Sequence, residues 1–234
     1  VFSWQTVLLS ISGLAIFGGC LLLLFVKNGP YRKKGTSLDL TICFKLFKNI
    51  SFRKAAFGYF GHMWELYTFW AFVPILLKTY SELYTHVHFN IPLLSFCIIS
   101  IGSIACVLGS YGAKLYGTKK TAFYCLLLSG ICCLLAPFFF MVENETIFIL
   151  FLLFWGMVVI ADSPLFSTLV AENAPERDKG TALTIVNCIG FSITILSIQL
   201  ISTLFHSTSS NFVFLLLAIG PILGLISMRF KRLF

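Results

Sequence analysis

Glu65 lies inside a long apolar run, with His62 three residues before it, in the stretch Gly58-Tyr59-Phe60-Gly61-His62-Met63-Trp64-Glu65-Leu66-Tyr67. At helical spacing the two side chains share one face. A carboxylate and an imidazole held together can take up and release a proton, or grip a polar solute. Glu65 comes about ten residues into a segment that begins near Ala55, which places it near the midplane if the segment crosses a membrane. A charged carboxylate at that depth costs about 3 kcal/mol or more unless it is paired, hydrated or protonated. That cost favours a proton-coupling or substrate-binding pair facing an aqueous cavity. The alternative is a neutral Glu hydrogen-bonded to a neighbouring helix, acting as structural glue. Tyr59, Trp64, Tyr67 and Trp70 surround the pair. Aromatics can line a substrate cavity, but each taken singly reads first as a packing residue.

A second constellation is Asp162-Ser163-Pro164. Pro164 removes one helical hydrogen bond and bends the chain. Asp162 can cap the backbone this frees, pair with a loop arginine, or act in gating, and the structural roles come first. Asn187 and Gln199 either line a cavity or bond between helices. Gly220 and Gly224 form a small-xxx-small pair, the spacing of close helix contact.

The sequence has no Gly-x-Ser-x-Gly, no Walker-type loop and no His-Glu-x-x-His, and His62 and Glu65 are wrongly spaced for the last of these, so an enzyme is not expected. The eight cysteines form no Cys-x-x-Cys and no histidine cluster accompanies them, so neither a metal site nor a disulfide framework is expected. No cofactor is implied. Asn49-Ile50-Ser51 and Asn144-Glu145-Thr146 match the glycosylation pattern, but the first falls on the basic side of the chain and the second in a very short loop.

The elements that must position these residues are hydrophobic runs. Seven of membrane length occur, at about 7–26, 55–77, 91–112, 121–142, 147–169, 181–205 and 212–228. Only 11% of residues are charged, against about 25% in a soluble domain, so the chain is read as an integral membrane protein. The seven runs sort the 17 basic residues: all but Lys78 fall on one side. By the positive-inside rule that side is cytoplasmic, with the N-terminus outside and the C-terminus inside. The formal charge of +8 is thus topological, facing anionic headgroups, and no nucleic-acid partner is expected.

The longest polar stretch, 27–54, separates one run from six, and Leu38 to Lys48 within it reads as a short amphipathic helix lying in the interface. The domains expected are a single transmembrane helix at 1–26, a basic cytoplasmic loop at 27–54 and a six-helix bundle at 55–234. Because the chain starts with Val1 and enters a span almost at once, a fragment with a missing upstream part is expected.

Three stretches resemble the major facilitator superfamily. Phe52-Arg53-Lys54-Ala55 through Trp70 is similar to the start of the seventh helix of certain permeases in the bacterial cyanate/nitrate-porter neighbourhood. Ala161-Asp162-Ser163-Pro164-Leu165-Phe166-Ser167, followed by Ala174-Pro175 and Gly180-Thr181-Ala182-Leu183-Thr184-Ile185, resembles their tenth-to-eleventh helix junction. Gly109 through Lys120 resembles the superfamily's short loop motif, Gly-rich and then Asp-Arg-x-Gly-Arg-Arg. Gly117, Lys119 and Lys120 keep its turn and basic pair, while Lys114 and Leu115 stand where the family has Asp and Arg.

The resemblance implies an all-α membrane protein of seven transmembrane helices. The first is the sixth of twelve, and the last six form the C-terminal bundle of a major facilitator fold. It implies a secondary transporter for a small solute, a symporter if protons are partners, in the bacterial plasma (inner) membrane. Its working partners would be the lipid bilayer and a missing N-terminal six-helix half or a second copy. An inactive remnant of such a transporter is a further reading. A seven-helix receptor or rhodopsin is the rival, but 212–228 has no Lys for a Schiff base, and Asp-Arg-Tyr and Asn-Pro-x-x-Tyr are absent.

Overall fold

The computed structural model describes residues 3–27, 42–208 and 210–229. The chain divides into two units, Val1–Asp39 and Leu40–Phe234. The described part of the first is one helix, α1 (Trp4–Phe25), which starts where the Ser3 hydroxyl accepts from the Thr6 N–H. Its 22 residues, at ~1.5 Å each, cover the ~30 Å of a bilayer's hydrocarbon core.

The second unit begins with α2 (Ile42–Lys48) and α3 (Ile50–Leu83). The expected amphipathic helix is therefore helical from Ile42, its Leu46 is buried against the bundle, and its expected start at 38–41 lies outside the described residues. Next comes an interrupted run, α4 (Ile91–Ser100) and α5 (Gly102–Tyr116), and then α6 (Thr118–Phe139). A second interrupted run follows, α7 (Glu145–Ala161) and α8 (Ser163–Glu172), then α9 (Lys179–Thr208). The final run starts as a 3-10 segment, Asn211–Ala218, and continues as α10 (Ile219–Arg229).

Asparagines start three of these helices. The Asn49 side chain accepts from the Ser51 and Phe52 N–H groups, Asn90 from Leu93, and Asn144 from Ile147. Each satisfies backbone donors that a helix start leaves without partners. Both glycosylation patterns thus contain helix caps. Gly117 ends α5 with φ 91°, a conformation that favours glycine, and turns the chain into α6 at once.

Among the described residues, six helices are long and apolar enough to cross a membrane: Trp4–Phe25, Ile91–Tyr116, Thr118–Phe139, Glu145–Glu172, Glu176–Thr208 and Asn211–Arg229. The remaining expected span, 55–77, lies in α3, which is not among them. Its length of 34 residues is ample, but His62, Glu65 and the interleaved Tyr and Trp residues dilute its apolarity. It can carry them because it is enclosed: half of its residues are buried, and α9, α10 and α8 pack around it.

Backbones meet where α3 crosses α10. A Cβ on Gly61 would strike the Gly220 carbonyl, and one on Gly220 would strike the Gly61 carbonyl. Gly58 lies against Gly224, so the two helices run antiparallel. The apolar core forms two clusters. One holds Leu66, Phe69, Val159 and Trp155, the other Met63, Leu126, Leu165 and Phe166. Along α3 the changeover falls between Met63 and Leu66, and along α7–α8 between Val159 and Leu165. Glu65 and Asp162 sit at these two changeovers.

Candidate functional site

Asp162 is the hinge of the second interrupted run. It ends α7 and precedes α8 with φ −89° and ψ −11°. Pro164 has no N–H to offer the Ile160 carbonyl one turn earlier. That carbonyl instead accepts from the Asp162 N–H and from the Cys106 thiol of α5, whose Sγ is 3.7 Å away. Gly109 lets α5 come this close, because a Cβ there would meet the Ala161 carbonyl at 2.6 Å. The Asp162 side chain caps nothing. Nor does it reach a loop arginine; its partner is buried.

That partner is His62, whose Nδ1 lies 2.9 Å from Asp162 Oδ1. Both residues are out of solvent, at 1% and 0% exposure. The contact is close but not aligned as a hydrogen bond, so both Asp162 oxygens and His62 Nε2 have no hydrogen-bond partner among the described residues. Buried polar atoms left in this condition are uncommon and costly. Phe166 and Tyr59 flank the imidazole, with ring centroids 6.0 and 6.1 Å away.

Glu65, one turn along α3 from His62, is served by three other side chains. Ser129 Oγ donates to Oε2 at 2.8 Å, and Trp155 Nε1 and Cys133 Sγ donate to Oε1 at 2.8 and 3.2 Å. Ser129 and Cys133 belong to α6 and Trp155 to α7, so the carboxyl ties three helices together. The residues expected as a His62–Glu65 pair thus have separate partners, and the imidazole goes to Asp162. Trp155, Ser129, Cys133 and the Thr68–Ser197 hydroxyl pair of α3 and α9, 2.7 Å apart, are polar contacts that reading the sequence misses. Their only signal is that each is an isolated polar group in an apolar run.

The other expected residues spread along α3 and α9. Tyr59 is buried against α9, where a Cβ on Gly190 would meet its ring at 2.8 Å. Tyr67 is half-buried between Trp70 and Phe191, each with ring centroids 5.4 Å away. Asn187 is half-buried and Gln199 exposed on α9. Lys119 and Lys120 are exposed at the start of α6. All eight cysteines are free thiols, and no cluster able to hold a metal occurs among the described residues.

A shallow cleft of about 470 Å³ opens along the hinge, lined by Cys106, Val107 and Ser110 on α5 and by Ile160, Ser163, Pro164 and Ser167 on the broken run. Ser110 and Ser167 already donate to the Cys106 and Ser163 carbonyls, at 2.8 and 3.3 Å, so among the described residues Ser163 is the cleft serine with an uncommitted hydroxyl, beside the residue that pairs with His62.

The family profile of the Major Facilitator Superfamily matches residues 1–198. The chain belongs to the Major Facilitator Superfamily. The match and the six membrane-length helices make it an integral membrane protein and support a transporter. Comparison with curated proteins finds no match.

Proposed function

We propose that this major facilitator protein takes part in secondary active transport of a small solute, driven by protons that bind the His62–Asp162 pair. The observation that carries the reading is that pair: an acid and a base, both buried, within 2.9 Å across a helix break, with unfilled hydrogen-bonding positions. A proton arriving there changes the charge that joins α3 to the hinge of α7–α8. The solute would bind at the cleft over Ser110, Ser163 and Ser167. Small anions are the first solutes to test, since residues 52–70 resemble helices of the cyanate/nitrate-porter neighbourhood.

In this reading α3 also spans the bilayer, giving seven spans. The ends that carry Arg53, Lys54, Lys114, Lys119, Lys120, Arg177, Lys179 and Arg229 face the cytoplasm. Alternating access has one bundle rock against another around a central site. The transporting unit therefore contains a second six-helix half, from a longer chain or a second copy, in a plasma membrane.

Reconstitution tests this. Liposomes containing the 234-residue chain, under an imposed pH gradient, are offered labelled small anions one at a time. The chain alone is expected to bind solute without accumulating it. Accumulation by the chain alone would mean that copies of this bundle form both halves. Absence of any solute-dependent proton movement, even in a complete two-bundle assembly, would overturn the coupling role.

A further inference from the structure

A groove of about 790 Å³ opens between α3, α9 and α10, on residues that proton coupling does not use. Its floor is the Gly61–Gly220 crossing, where two residues without side chains leave space between larger neighbours. Phe57, Phe60 and Trp64 of α3 form one wall, with Ile193 of α9 and Leu223 of α10 opposite. The polarity is one-ended. Arg53, Lys54 and Ser227 line the end near the start of α3. At the deep end the Trp64 N–H is already committed to the Leu216 carbonyl at 3.1 Å.

We propose that this groove binds one anionic phospholipid, with its phosphate at Lys54 and an acyl chain laid along α3 towards Trp64. Length supports a lipid. From Ile50 to Trp64 the helix rises about 21 Å, the depth of one leaflet with its headgroups when the whole bilayer is ~40–45 Å thick. Polarity opposes a hydrophilic solute, which would find no hydrogen-bonding group beyond the mouth. Charge selects the headgroup. Lys54 is half-buried and makes no ion pair among the described residues, Arg53 lies beside it, and Arg229 follows Ser227 on α10. Basic pockets between membrane helices are recognition sites for anionic headgroups.

The test uses tryptophan quenching by brominated lipids in the full chain. Trp4→Phe and Trp70→Phe leave Trp64 at the groove and Trp155 buried at Glu65, and a further Trp64→Phe supplies the signal to subtract. Vesicles contain unlabelled phosphatidylcholine plus a small fraction of either phosphatidylglycerol or phosphatidylcholine brominated in mid-chain. The Trp64 signal is expected to be quenched preferentially by the anionic lipid. Lys54→Gln with Arg53→Gln should weaken that preference about fivefold per charge, as a contact of ~1 kcal/mol per basic residue implies. Circular dichroism confirms that the variant is folded. Equal quenching by both headgroups, or a preference that survives the double substitution, would overturn the proposal. So would a Trp64 that neither lipid quenches, which would mean that protein fills the groove.

Discussion

His62 Nδ1 on α3 stands 2.9 Å from Asp162 Oδ1, at the residue where α7 ends and α8 begins. One side chain thus connects the most enclosed helix of the bundle to its main backbone break. The connection rests on this one contact, because both Asp162 oxygens and His62 Nε2 have no hydrogen-bond partner among the described residues.

Asp162→Asn keeps the shape and removes the charge. Proton-driven accumulation is expected to fall at least about tenfold, whereas solute exchange at equal pH on both sides keeps most of its rate. The two are measured on the same vesicles of a complete transporting assembly. Equal loss of both would make Asp162 a structural residue only.

Glu65, which three helices share, is expected to matter for stability. Glu65→Ala strands the Trp155 N–H in the buried interior, while the Ser129 hydroxyl keeps the Leu126 carbonyl, a loss of about 2 kcal/mol. Glu65→Gln retains an acceptor for Trp155, and the Ser129 hydroxyl can rotate to accept from the amide, so most of that loss should be spared. Thermal unfolding in detergent should rank wild type first, Gln close behind and Ala well below. If Gln unfolds as early as Ala, the carboxylate charge itself is what the three donors require.

Substituting the glycines should separate a backbone obstacle from a side-chain one. Gly61→Ala puts a methyl into the Gly220 carbonyl, and neither helix can yield without losing the crossing. Gly58→Ala meets the ring of Phe166, which can shift. Gly180→Ala meets nothing within 4 Å and should change stability by less than about 1 kcal/mol. The expected order of folded yield is Gly180→Ala, then Gly58→Ala, then Gly61→Ala. Detergent-solubilised, size-exclusion-purified protein gives the measurement, and a well-folded Gly61→Ala would contradict the crossing.

Orientation is checked by labelling single cysteines on a Cys-free background. A cysteine at Lys119 should react with an impermeant reagent only from the cytoplasmic side, and one at Glu143 only from the outside. The reverse pattern would invert the positive-inside assignment.

The helical class and most boundaries are legible in the sequence because apolar runs and asparagine caps are local signals. The run at 147–169 is an example: its apolar residues mark the helix and Asp162-Ser163-Pro164 its break, while Asn144, read only as part of a glycosylation pattern, proves to be its cap. The partners inside the bundle are not legible in this way. Glu65 and Trp155 are 90 positions apart, and nothing in either segment states that they meet. The expected pairing of His62 with Glu65 drew on spacing along one helix. Burial instead rewards contacts between helices, and Asp162, buried at the break with no cap to make, is the better-placed acid for the imidazole. The same polar residues that suggested a site also lowered the apolarity of α3 below that of its neighbours.

The crossing of Gly61 and Gly220 has a mechanical meaning. Two backbones in contact have no rotamers to swing aside, so α3 and α10 cannot slide past each other and must travel as one stiff keel. The run of α7 and α8 is built the opposite way. At Asp162 the hydrogen-bond ladder is broken, because Pro164 has no N–H, and a soft thiol contact 3.7 Å long helps hold the Ile160 carbonyl. That run is a jointed rib on a rigid beam, and the His62–Asp162 contact is the pin between beam and rib. Drawing that pin with a proton would free a rib to bend while the keel kept its shape.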